Sequence, residues 1–175
     1  VLYDEGDRWD GIAIRLMNNT LEGVVQTAND TQLAGSHTFP ADASWHMVAL
    51  VYDNGALTLY LDGVPATTNN TGFTTIAASN GTGGLGGTFT SDAFNNNFSN
   101  NYYDGFMDDV LFYNEALSSA LIDDIYNNGV GNGITDPALE DQGGLSAGWY
   151  YQFFVSVDRR HFDLITESGL GNINL

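Results

Sequence analysis

The chain has 175 residues, 43% of them apolar, a size at which one domain buries roughly 70% of the surface its unfolded chain exposes. Acidic residues number 22 against four arginines and no lysine, for a formal net charge of −18, so no basic patch exists to displace counterions from nucleic acid or to dock on an anionic membrane. With no cysteine, disulfides, thiolate catalysis and cysteine-held zinc are excluded, and no apolar run approaches the roughly 18 residues needed to span a bilayer.

Val1 opens the chain without methionine or signal-peptide grammar, as expected of a processed product or a fragment. Short apolar or alternating runs follow at Ile12–Leu16, Gly23–Thr27, Trp45–Tyr52, Ala56–Leu61, Gly87–Thr90, Val110–Tyr113 and Tyr150–Val157. Gly, Asn, Asp and Thr separate them, the spacing of an all-β sandwich. Glycine (21 residues) far outnumbers proline (3), so the connections are glycine-made turns. Asp92–Gly105 is asparagine-rich and reads as a long surface loop. Gly81-Thr82-Gly83-Gly84-Leu85-Gly86 fits GxGxxG, but no helical pattern follows it and the chain has no lysine for a phosphate loop, so it reads as a hairpin loop.

The hairpin from Trp45 to Asp62 is the most strongly specified element. Asn54-Gly55 suits a type I′ turn, whose two central residues both need positive φ. A two-residue loop then sets Tyr52 opposite Leu57, Leu50 opposite Leu59 and Val48 opposite Leu61, so turn and apolar pattern demand one register. The other face carries Trp45, Met47, Ala49, Val51, Thr58 and Tyr60. That face is too apolar for bare solvent; it either packs under a second layer or lines a concave surface.

One helix is predicted after Leu117-Ser118. Ser118 serves as N-cap, Leu117 staples onto Ile122, and Gly129 closes the C-terminus. Leu121, Ile122, Ile125 and Tyr126 form its apolar stripe. A helix this short in a β protein is expected to act as a lid or end-plug.

Two stretches carry a resemblance. Ser44-Trp45-His46-Met47-Val48-Ala49-Leu50-Val51-Tyr52-Asp53 with Leu57-Thr58-Leu59-Tyr60-Leu61-Asp62-Gly63 resembles a "WHhVAlvYd…lYvDG" hairpin. Gly105-Phe106-Met107-Asp108-Asp109-Val110-Leu111-Phe112-Tyr113-Asn114-Glu115-Ala116-Leu117-Ser118 resembles "GxIDDVriYNrALs". Both are similar to the laminin-G-like branch of the concanavalin A-like lectin/glucanase superfamily. Leu2–Gly6 and Gly11–Ile14 match an earlier strand pair of that domain. The resemblance implies a two-sheet antiparallel jelly-roll sandwich, usually extracellular, usually non-catalytic and often calcium-bearing. It covers residues 1–129, without the strand that members carry ahead of the Leu2 position and without their early calcium-loop motif. Residues 130–148 read as a glycine-rich linker. Residues 149–175 are a surplus C-terminal strand extension, with Tyr150–Asp158 and His161–Thr166 both strand-like.

Alternation from Val110 and Phe112 directs Phe106 and Asp108 inward. A buried carboxylate needs donors or a cation, and the resemblance implies Ca2+ at Asp108; an Asp bonded to loop amides is the plainer alternative. Glu5-Gly6-Asp7-Arg8-Trp9-Asp10 superficially matches the ExDxxE strand of concanavalin-like glucanases. Its final acid is Asp and glycine follows Glu5, so a solvated acidic turn is the better reading. His37, His46 and His161 have no metal-site spacing, and no GxSxG turn exists; no catalytic residue is assigned. Trp45 and Tyr60 are the candidate carbohydrate platform, with packing under another layer as their plainer role. Sequons place candidate glycans on Asn18, Asn29, Asn69, Asn80 and Asn97.

The function these features point to is a non-catalytic extracellular or cell-surface structural or adhesive protein. It is expected to form a homo-oligomer or homopolymer, a filament or surface layer, by strand exchange. The alternative is a carbohydrate-binding module of a larger secreted protein, with glycans as partners. The surplus strands can fill the missing-strand gap in cis, as a circular permutation, or in trans, in a neighbouring subunit.

Overall fold

The computed structural model describes residues 1–6, 10–27, 30–72, 74–76, 82–87, 102–113, 115–128 and 152–158, with 30–33, 82 and 152–158 described through their backbone. Ten strands and one helix follow in chain order: β1 (Tyr3–Gly6), β2 (Gly11–Met17), β3 (Thr20–Thr27), β4 (Asp30–Thr38), β5 (His46–Asp53), β6 (Ala56–Leu61), β7 (Val64–Asn70), β8 (Thr82–Leu85), β9 (Phe106–Tyr113), α1 (Ser119–Asn128) and β10 (Gln152–Asp158). They form two five-stranded sheets, ordered β4-β3-β2-β1-β8 and β7-β6-β5-β10-β9. Every pairing is antiparallel. Mostly antiparallel β in two sheets with one short helix is the sandwich expected.

The β5–β6 hairpin has the predicted register, with Val48↔Leu61, Leu50↔Leu59 and Tyr52↔Leu57. Its turn has φ of 43° at Asn54 and 95° at Gly55, the type I′ conformation that an Asn-Gly pair adopts at least cost. Val48, Leu50, Tyr52, Leu57 and Leu59 are buried against Tyr3, Ile12, Ile14, Leu21 and Val25 of the facing sheet and against Leu2 and Phe39, which flank its strands. This is the main core.

The opposite face of the hairpin is also buried. Met47, Ala49, Val51 and Tyr60 pack with Leu117, Ile122 and Ile125, so α1 lies across the outer face of the sheet as a third layer. The lid or end-plug expected of so short a helix is corrected here: its two buried isoleucines, with Leu117 ahead of it, cover an apolar patch of the sheet. Ser118 caps it, Oγ accepting the Leu121 amide at 3.3 Å.

The chain departs from expectation at several strands, among them β4, which pairs with β3 and was not anticipated. The Gly81–Gly86 segment, read as a loop, contributes β8, whose residues Thr82–Leu85 pair with β1; glycine-rich sequence hid a strand stabilised by its partner's backbone. Gly86 and Gly87 form a bend, and the rest of the strand expected at Gly87–Thr90 lies outside the described residues. β7 carries Pro65 and a polar run and was not anticipated. It is an edge strand, where proline costs no ladder bond on the solvent side.

β10 comes from the surplus C-terminal segment. It lies between β5 and β9, with Gln152↔Val51 through Val157↔His46 on one side and Gln152↔Tyr113 through Asp158↔Phe106 on the other. Of the remaining readings, the second surplus strand (His161–Thr166), the 130–148 linker, Gly129 as helix terminator and most of the Asp92–Gly105 loop lie outside the described residues.

Candidate functional site

The seat of β10 brings together most of the chemistry around one end of the sheet. Its floor is backbone: β5 and β9 each present a strand edge to it. Its rim is built from Trp45, His46, Phe106, Asp108 and Asp109.

His46 opens β5 and is 8% exposed. Nδ1 lies 2.8 Å from Asp62 Oδ2, and Nε2 lies 2.9 Å from Asp42 Oδ1. The Phe39 ring meets the imidazole edge-on at 5.1 Å between centroids. Burial opposes protonation of His46, but the two carboxylates outweigh it and hold the pKa above the ordinary histidine value. As imidazolium, the ring donates to both. The same hydrogen bond from His46, helped by the Ser44 amide, holds the exposed Asp42 carboxyl below its usual range. Asp62 also accepts the Met47 amide at 3.0 Å. It sits in the β6–β7 turn with φ of 50°, followed by Gly63 at 79°. A Cβ on Gly63 would stand 3.0 Å from Tyr126 Cβ, so glycine there allows the helix to approach the turn. The clamp thus ties the 41–45 loop, the start of β5 and the β6–β7 turn together.

Asp108 is exposed rather than inward, and the reason is a bulge. Phe154 pairs with Leu111 and Ser156 with Asp108, so Asp109 and Val110 together stand opposite Val155. Asp109 has φ of 52°, a left-handed conformation that Asp tolerates better than most side chains. One extra residue inverts the alternation below it. Met107 and Val110 pack on the main core and Phe112 meets Tyr3 at 5.1 Å, while Asp108 faces out and accepts the Asp109 amide at 2.9 Å. No group of three His, Cys, Asp or Glu side chains that could hold a metal ion occurs among the described residues.

The two candidate carbohydrate-binding aromatics are not brought together as a platform. Tyr60 is 5% exposed beneath α1, its hydroxyl 2.9 Å from Ser119 Oγ. Trp45 is 42% exposed and its ring centroid lies 6.5 Å from that of Phe106. Packing is therefore the role of Tyr60. Of the sequon asparagines, Asn18 is exposed at the tip of the β2–β3 turn, with φ of 49°. Asn69 pairs with Leu57 in β7, and its sequon hydroxyl, Thr71 Oγ1, donates to Gly55 O at 3.0 Å. Asn29, Asn80 and Asn97 lie outside the described residues.

In the acidic hexad, Glu5 belongs to β1 and accepts the Tyr3 hydroxyl; Asp7, Arg8 and Trp9 are outside the described residues. His37 pairs with Leu21 at the far edge of the other sheet, away from His46. Sequence reasoning missed Asp42, Asp62, Phe106 and Asp109. An Asp four residues before His46, and the Asp-Gly pair after the hairpin, were the available signals.

Residues 2–123 match the family described as the concanavalin A-like lectin/glucanases superfamily, in its laminin-G-like form. No curated protein and no solved structure matches the chain. The match spans both quoted motifs, seven of the strands of the two sheets on either side of the hairpin and the start of α1, and it stops before β10. The chain belongs to the concanavalin A-like lectin/glucanase superfamily.

Proposed function

We propose that this domain is a non-catalytic structural or adhesive module of an extracellular or cell-surface assembly, and that copies join when residues 152–158 of one fill the β5/β9 slot of the next. The observation that supports this is the seat of β10. A segment beyond the family match occupies the fourth position of a five-stranded sheet. Without it, β5 and β9 both become open edges, which invite pairing with another chain. Residues 129–151 separate α1 from β10, and a fully extended chain of that length reaches roughly 75–80 Å. That reach serves a neighbour's slot as readily as the chain's own. Each exchange is head-to-tail, so it propagates into a fibre unless the rotation closes a ring. A cysteine-free surface of net charge −18 keeps such copies from clumping through any other face.

The absence of native cysteine makes the test direct. Asp108 and Ser156 are cross-strand partners, and directly opposed antiparallel residues lie within disulfide reach. Oxidised Asp108→Cys mixed with Ser156→Cys should give a covalent dimer, and the double variant a ladder of multimers. Closure of the double variant only as a monomer, with no linkage between the mixed single variants, overturns exchange. A carbohydrate-binding module is the second reading; it rests on the half-exposed Trp45 alone.

A further inference from the structure

We propose that Trp45 and Phe106 form a clasp that closes over the end of the strand slot and sets how long its occupant, the 152–158 segment of a second copy, stays docked. This rests on the exchange reading above.

Trp45 immediately precedes β5 and Phe106 opens β9, two strands that are not neighbours. β10 lies between β5 and β9, so their backbones stand about 9.5 Å apart, two inter-strand spacings. Their ring centroids are nevertheless 6.5 Å apart, inclined at 52°, so the rings lean toward one another across the strand between them. The register says where they cross. Val157 pairs with His46, and Asp158 pairs with Phe106; Trp45, one residue before His46, is therefore level with Asp158. The clasp spans the last residue of β10.

Phe106 reaches this position only because of the bulge. With strict alternation from Phe112 and Val110, Phe106 would turn into the core together with Asp108, on the opposite face from Trp45, whose parity along β5 matches outward-facing Met47 and Ala49. The extra residue at Asp109, with its φ of 52°, moves Phe106 to the outer face. Asp109 is accordingly a positioning residue for the clasp. On the Trp45 side, the His46 ring held by Asp42 and Asp62 fixes the adjoining backbone. A strand can leave the slot at this end only after the rings part, so the pair acts on release.

Hydrogen exchange by mass spectrometry on the full chain tests the clasp. Trp45→Ala and Phe106→Ala should each speed exchange of the 152–158 amides by about 2–10-fold, the range of an aromatic pair, with β2 and β3 amides unchanged. The double variant should be no faster than either single one, because the pair acts as a unit. Asp109→Val, which resists positive φ, should reproduce the loss, and Asp109→Gly, which accepts it, should keep the parent's protection. Unchanged protection of 152–158, or a uniform loss across the domain, overturns the clasp. If protection responds as expected but mixed Asp108→Cys and Ser156→Cys chains never link, the second copy is overturned as occupant, and the exchange reading with it.

Discussion

Asp62 holds His46 by the side chain and its neighbour by the main chain: Oδ2 lies 2.8 Å from His46 Nδ1 while Oδ1 accepts the Met47 amide at 3.0 Å. One carboxylate therefore anchors the first two residues of β5, and its value to the fold depends on the charge of the imidazole.

The pH dependence follows from the direction of that shift. His46 has a raised pKa in the folded chain, so its stabilisation is fully present below the unfolded value of about 6.5 and is lost as pH rises through the folded value. Asp42 is shifted the other way, so its contribution is present above the ordinary carboxylate range and is lost as pH falls through its folded value. The clamp is strongest between the two. Thermal melts from pH 5.5 to 8.5 should show Tm of the parent falling relative to His46→Gln; parallel curves would show that the imidazole is not protonated in the fold.

Leu59 is wholly buried opposite Leu50. Leu59→Asp places an unpaired carboxylate at the centre of the main core and should abolish cooperative folding. A soluble variant with a sharp melt would disprove the hairpin register.

The helix layer can be loosened from either end. Ser118→Ala removes the N-cap and should cost about 1 kcal/mol, lowering Tm by about 2–4 °C for a chain of this size. Tyr60→Phe deletes the hydroxyl that meets Ser119 and should cost a similar amount. Circular dichroism melts of the two variants would measure both.

Asp108 is exposed and bonded to the next residue's amide. Asp108→Asn should change stability by no more than about 0.5 kcal/mol, and millimolar calcium added after chelation should shift the Tm of parent and variant equally. A shift confined to the parent would restore a cation to this residue.

The β5–β6 hairpin was legible because Asn54-Gly55 and the leucine pattern specify one register independently. The helix was legible for the same reason, its cap and its isoleucine stripe agreeing. Asp108 was misplaced because a bulge is a property of a strand pair: nothing in Phe106–Tyr113 alone states that Asp109 stands outside the ladder, although an Asp-Asp pair inside an apolar strand is where left-handed backbone is tolerated. Tyr60 could be read as platform or packing, since the element that covers it lies nearly 60 residues further along the chain. His46 showed no metal-site spacing in the sequence, but its partners Asp42 and Asp62 meet it only once the loop and the second turn are folded.

The place of β10 also constrains the order in which the chain can fold. Val51 and Gln152 are neighbours in the sheet although 101 positions separate them. Contacts this distant in sequence slow folding. On a ribosome, the roughly 40 residues between Tyr113 and Gln152 take about 2–8 s to synthesise at 5–20 residues per second. During that interval β5 and β9 exist without the strand that separates them. A nascent chain in this state keeps the facing edges of β5 and β9 unpaired until its own residues 152–158 have been made.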